Sequence, residues 1–394
     1  MEATPTARPK DIPLEAVRGV AAVTVVLWHN MLGFFPVISG NFADMGYGLA
    51  GQPWFGLLNG LGAVNLFFVL SGYVLTRAFF LSGDTSIITR SAMKRWPRLA
   101  GPVLIAILAS YCLWKLGLYH YDQAAALTHS PWLAGHLFTG QPVIASSKFL
   151  DALAQGLFFT FVKPDSAYFD TVLWTMRWEF AGSFAAFGLA LLARPLEPRL
   201  RLFVFGVAMV LALYWAPQMA PFVLGVALAG LLASGAPKPR PALAIGGIVA
   251  GVYLLGYGPQ PAGAYLWLHR ALGPSVVTTY VQGVGGALII AAVELSGSAR
   301  GLLSGKIPAF LGKLSFPLYL VHIPVLCSFG SMAVVASGHA KVGVLVTLAV
   351  SFLAALPLMA FNEYWVGLLN RHYARSRRSS AMPAAAEETA TASV

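Results

Sequence analysis

The chain has 394 residues, of which 57% are hydrophobic and only 10% charged, and its mean hydropathy is +0.70. A soluble globular protein carries about 25% charged residues, so this composition belongs in lipid. The net charge of +11 would suit a nucleic-acid binder if it formed one basic patch, but it is scattered between apolar runs, where it sets orientation.

The first apolar run, 14–36, follows a polar head (1–13) directly and is long enough to cross a bilayer. It reads as a retained helix with no cleavable signal peptide. Further runs fall at 57–80, 97–118, 171–193, 201–216, 218–235, 241–258, 276–295, 309–331 and 342–367. The predicted fold is an all-α integral membrane protein of about ten transmembrane helices, with both termini cytoplasmic. That orientation puts 20 of the 26 Lys and Arg on or near the cytoplasmic side, whereas the inverse would violate the positive-inside rule. Residues 14–370 form the transmembrane domain, and 371–394 a cytoplasmic tail, basic and then disordered, rich in Ala, Ser, Thr and Glu. The longest outer segment, 119–170, holds "KFLDALAQGLFFTFVKP", too short to span, which lies at the interface or re-enters the protein. Cys112 and Cys327 fall within spans and read as buried apolar residues rather than a disulfide.

Along the first span, "EAVRGVAAVTVVLWHN" begins with Arg18 and carries His29 eleven residues later. Eleven helical steps return to within about 20° of the starting face, roughly 16 Å along the axis. Ionisable residues in lipid are costly, so two on one stripe point to a lined cavity, unless Arg18 snorkels and His29 sits at the far interface. Topology places Asn65 of the second span, Glu179 of the fourth and His322 of the ninth in the same outer half as His29. Four polar side chains from four helices at similar depth are expected to pair or converge. A neutral imidazole at His29 is chemically suited to take a proton from a hydroxyl, with Glu179 orienting it or stabilising the imidazolium. Asn65, Ser71 and Tyr73 are candidate oxyanion donors. Trp174 is an interfacial anchor or a stacking surface for an acceptor. His322 is either a helix–helix hydrogen bond or a substrate contact.

On the cytoplasmic side, Arg77 ends the second span, and "RSAMKRWPRLAGP" supplies Arg90, Lys94, Arg95 and Arg98. If a helix begins there with Pro97 in its first turn, Arg95 and Arg98 present paired guanidinium groups, suited to phosphate oxygens. Plain positive-inside topology or lipid headgroup binding explains the same cluster. His120, His129, His136, His269 and His339 lack zinc-site spacing, and no metal is expected.

Five stretches in order carry a resemblance. "EAVRGVAAVTVVLWHN", "NLFFVLSGYVLT", "KRWPRLAGPVLI", "LWTMRWEF" and "LGKLSFPLYLVHIPVL" resemble the successive motifs of the acyltransferase family 3 membrane proteins, although Phe316 stands where the family usually has Tyr. The resemblance implies acyl transfer from cytoplasmic acyl-coenzyme A, most simply acetyl-CoA, to a hydroxyl of a cell-envelope carbohydrate or glycolipid at the outer face. It carries a catalytic role to His29 and donor contacts to Arg18, Arg95 and Arg98; Arg77 and Lys94 join these from the basic cluster. The implied location is a plasma membrane, in a bacterium the inner one. Partners would be acyl-CoA, a carbohydrate or lipid-linked glycan acceptor and membrane lipids, with no nucleic acid, and a homo-oligomer stays open. The competing reading is a polytopic transporter that uses the intramembrane His and Glu as a proton or substrate path. A receptor that binds a glycolipid without chemistry is a third.

Overall fold

The computed structural model describes residues 11–42, 45–46, 48–136, 146–165, 167–235, 240–273 and 277–391. Every regular element among the described residues is helical. The main helices are α1 (Ile12–Phe34), α2 (Gly60–Ser82), α3 (Thr85–Lys115), the short α4 (Tyr121–Thr128) and α5 (Trp174–Ala193). They continue with α6 (Pro198–Trp215), α7 (Ala220–Ala233), α8 (Pro241–Leu255), α9 (Thr278–Leu295), α10 (Lys306–Val325) and α11 (Ala340–Thr391).

Among the described residues seven helices are long and apolar enough to cross a membrane: α1, α2, α3, α6, α9, α10 with its continuation to Ser337, and α11 to Tyr373. The other three predicted spans differ for identifiable reasons. Helix α5 has 20 residues but carries Arg177 and Glu179, while α7 and α8 have 14 and 15 residues, short of the ~20 that cross a bilayer unaided. Helix α11 extends through residues 376–391, where composition alone predicts disorder; alanine and glutamate favour continuing a helix already formed. The head segment 1–10 lies outside the described residues.

The entry to α3 differs from the sequence expectation. The helix starts twelve residues before Pro97, at Thr85, where the Asp84 carboxylate accepts the Ser86 amide at 2.9 Å. Pro97 therefore sits inside the helix and deprives the Met93 carbonyl of its usual donor. The Tyr373 hydroxyl donates to that carbonyl at 3.3 Å, and the Trp365 indole donates to the Pro97 carbonyl at 2.7 Å. Helix α11 thus satisfies what the proline disrupts, and is tied to the basic turn of α3.

The outer segment re-enters the bundle. Its helical stretch from Phe149 to Val162 begins beside Tyr111, packs Gly156 on Leu104, and reaches Trp96, whose indole donates to the Leu157 carbonyl at 2.8 Å. Between Tyr111 and Trp96 it follows α3 for about 22 Å. The chain then returns to Phe169, again beside Tyr111. The earlier part of the segment covers the end of α1: Thr128 and Ser130 donate to the Gly33 and Leu32 carbonyls at 3.0 and 2.6 Å, which a helix terminus leaves unpaired. Cys327 is buried, but Cys112 faces outward from α3.

Candidate active site

Helix α1 packs more extensively against α10 than against any other element. The reason is a pair of glycines. A Cβ on Gly19 would lie 2.5 Å from the Leu311 backbone carbon, and one on Gly312 would lie 2.7 Å from the Glu15 backbone. Only residues without a side chain allow that approach, the small-residue contact typical of helices in lipid. The two helices run in the same direction, and each carries a histidine ten residues after its glycine: His29 and His322. Ten residues is about 15 Å of rise, so equal spacing from a shared contact brings the two imidazoles to one level.

There they touch. His322 Nε2 lies 3.0 Å from His29 Nδ1, with ring centroids 5.0 Å apart. His29 Nδ1 is also 3.0 Å from the Val25 carbonyl, and His322 Nδ1 is 2.7 Å from the Tyr319 carbonyl. Trp132, from the segment covering α1, closes the other side of His29 at 5.3 Å between rings. One turn beyond His322, α10 widens into a π-helical turn at Leu326–Gly330.

Below the pair is a cavity of about 200 Å³. Its charged end is lined by Glu15, Arg18, Arg95, Arg98, Lys313 and Glu363, and its apolar end by Val64, Phe67, Phe68, Met176 and Tyr319. Tyr319 forms the far wall, its hydroxyl held by Thr175 at 2.8 Å and the Val172 carbonyl at 2.9 Å. Its ring lies 5.8 Å from that of His322, so the histidines stand directly behind the wall. A second cavity of about 210 Å³, lined by Arg90, Lys94 and Asn370 among others, shares Leu75, Arg95 and Arg98 with the first.

The five predicted donor cations have different surroundings. Arg18 pairs with Glu15 at 2.6 Å, and Lys94 donates to Asn370 at 2.9 Å. Arg77 is drawn away into a lattice with Asp11, Glu294 and Arg300, at 2.8–3.2 Å, with its guanidinium over the Tyr73 ring. Arg95 pairs with Glu179, although its Nε is buried without a partner among the described residues. Arg98 lines both cavities and makes no hydrogen bond or ion pair among the described residues.

The remaining sequence candidates are dispersed. Glu179 is not brought to His29; it joins Arg95 and accepts the Ser71 hydroxyl at 2.6 Å within the cavity. Asn65 donates to Gln282 at 2.5 Å, and Gln282 donates to the Tyr257 carbonyl at 2.6 Å. Tyr73 is buried toward the Arg77 lattice, and Trp174 stands 42% exposed at the start of α5. Only His322 of the outer-half group meets His29.

A family model described as an acyltransferase domain matches residues 12–360, which include the glycine contact, both histidines and all of the cavity lining but Asn362 and Glu363. The chain belongs to acyltransferase family 3. It is also similar to O-acetyltransferase PaAT-1 of Phomopsis amygdali, at 22% identity over 373 residues, covering 80% of this chain and 72% of the relative. No solved structure matches.

For this membrane acyltransferase, sequence reasoning left out Tyr319, Thr175, Lys313, Glu363 and Trp132. Lys313 and Tyr319 lie one residue past Gly312 and one turn before His322, so the spacing Gly-x9-His, present in both α1 and α10, was a usable signal. Nothing in the sequence marks Trp132, which reaches His29 only through the fold of the covering segment. Among the described residues no group of three metal-ligating side chains gathers.

Proposed function

We propose that this acyltransferase moves an acyl group, most simply acetyl, from acyl-coenzyme A to a hydroxyl of an envelope carbohydrate or glycolipid, with His29 as general base. The basic end of the bundle faces the cytoplasm of the cell whose plasma membrane holds it, consistent with the positive-inside bias. The observation that carries the reading is Arg98, a guanidinium without a partner among the described residues, set between two adjoining cavities. An unpaired cation that borders both cavities and stays open to solvent is free to take an anion, and guanidinium forks suit the phosphates of the donor. The thin pantetheine arm fits the apolar cavity leading toward Tyr319, beyond which lies the histidine pair.

In the reaction His29 accepts the proton of the acceptor hydroxyl as the new C–O bond forms. The thioester C–S bond then breaks, and the imidazolium returns the proton to the departing sulfur, giving ester and free thiol. A positioned base of this kind contributes about 10²–10⁴ in rate. Direct transfer needs no acyl-enzyme; labelled acyl groups trapped on the protein without acceptor would favour an acyl-histidine instead. Glu179 acts from the cavity side, holding Arg95 and the Ser71 hydroxyl along the donor's path.

The test is purified protein in detergent with labelled acyl-CoA. Donor binding or slow hydrolysis, together with acylated glycan detected by mass only when the gene product is present, supports the reading. Donor-independent solute uptake in vesicles overturns it in favour of transport.

A further inference from the structure

The hydrogen-bond pattern around the two histidines determines where their protons sit. The Tyr319 carbonyl can only accept, so at 2.7 Å the facing His322 Nδ1 carries a hydrogen. In a neutral ring that leaves His322 Nε2 with a lone pair. His29 Nδ1 therefore faces two acceptors, His322 Nε2 and the Val25 carbonyl, both at 3.0 Å. Two acceptors converging on one ring nitrogen require it to be the donor. The other nitrogen, Nε2 of His29, is left with the lone pair.

We infer that His322 is the positioning residue of His29: it holds the neutral base with its hydrogen on Nδ1 and its basic lone pair on Nε2, and supports the imidazolium when Nε2 takes up a proton. This rests on the reading of His29 as general base and assigns His322 a different task from substrate contact. His322 is fully buried and both its nitrogens are engaged, so it has no polar atom left for a substrate. The arrangement parallels a catalytic triad, in which a third group fixes the tautomer and orientation of the base. Here that group is neutral, which avoids burying a carboxylate at this depth. The matched glycine-to-histidine spacing of α1 and α10 sets the distance between the rings.

The test compares full-length wild-type protein with His322→Gln and His322→Met in detergent micelles, each ¹⁵N-labelled at histidine. The His29 resonances are assigned by their loss in His29→Gln. In the wild type, with no donor or acceptor added, His29 should show a protonated Nδ1 and an unprotonated Nε2. Glutamine can place an amide oxygen near the position of Nε2, so His322→Gln should keep that tautomer and stay within about threefold of wild-type kcat. Methionine fills the space without an adequate acceptor, so His322→Met should mix the tautomers. Its kcat should fall about tenfold or more with both KM values unchanged, as when a triad loses its orienting member. A wild-type His29 protonated on Nε2, or a Met variant with unaltered tautomer and kcat, overturns the inference. So does a Met variant whose only change is a raised acceptor KM, which would make His322 a substrate contact. If the Met variant does not fold, the wild-type spectrum and the Gln variant decide. Absence of acyl transfer in the wild type would sink the proposed function while leaving the tautomer measurement, and hence the pairing, intact.

Discussion

The two ends of α1 present one helix face in opposite environments. At one end Arg18 pairs with Glu15 at the edge of an open cavity, among arginines, a lysine and carboxylates. About 16 Å further along the same face, His29 lies half-buried among Val25, His322 and Trp132. Charges that hold a soluble anion benefit from being many and accessible. A base that must keep one tautomer benefits from a fixed setting, where a neighbouring acceptor holds its hydrogen in one place. The helix thus divides binding from proton transfer by position alone.

That division is broken most directly at the histidine end. His29→Ala should lower kcat by about 10²–10⁴ while leaving donor affinity unchanged, because a base acts on the proton and not on the phosphates. Turnover and donor binding measured on the same folded preparation check this, and near-normal turnover would return His29 to the role of an interfacial residue.

At the open end the effect should be smaller and of another kind. Arg98→Ala should weaken donor binding about 10–100-fold, the worth of one or two charge-assisted hydrogen bonds, and salt should weaken the wild type similarly. Arg95→Ala should cost folding stability as well, since it strips Glu179 of its partner and leaves a largely buried carboxylate. Titration calorimetry with donor, alongside thermal melts, separates the two arginines. Unaltered donor affinity in both variants would make the cluster a topology signal only.

The comparison is sharpened by disturbing the contact that joins the two ends. Gly312→Ala places a Cβ against the Glu15 backbone, a steric insertion that costs about 1–3 kcal/mol. Because it wedges α10 from α1 at the charged end of the donor cavity, kcat should fall a few-fold and donor affinity should weaken with it. Gly188→Ala, where a Cβ meets nothing within 4 Å, is the control and should change neither.

Much of this was legible in the sequence, for reasons that differ by residue. Apolar runs reveal helices because lipid demands them, and Arg18 and His29 share a face because the helical period requires it. The common level of His29 and His322 also followed from rise per residue, whereas Glu179, grouped with them by depth, lies with Arg95 in the wall of the basic cavity. Depth is only one coordinate, however. Which of four polar residues meet depends on the azimuth each helix presents, and that is set by close contacts such as Gly19 with Gly312. Asn65 and Glu179 face other neighbours at their own levels. The start of α3 was misplaced because Pro97 was given its usual position in a first turn, whereas Tyr373 and Trp365, far away in the chain, make an interior proline tolerable.

The smallest effect is expected at Asp170, on the chain's return from the re-entrant segment. It is fully buried, and neither carboxylate oxygen reaches a well-formed hydrogen bond among the described residues. Burial pushes its carboxyl well above the usual carboxylate range, and the nearby Val172 amide offsets this only in part. The folded protein therefore keeps this proton at pH values where the unfolded chain has lost it. The resulting stabilisation is complete below the unfolded value of about 3.9 and is lost as pH rises toward and through the raised folded value. The amide side chain of the Asp170→Asn variant cannot ionise, so variant and wild type should melt at similar temperatures in acid and diverge as pH rises, with the variant the more stable. Turnover at a fixed pH should stay near wild type, since Asp170 belongs to neither the cavity wall nor the histidine pair. Parallel melting curves across the pH range would mean that the carboxyl finds a partner on ionisation, and that the return of the re-entrant segment is polar rather than dry.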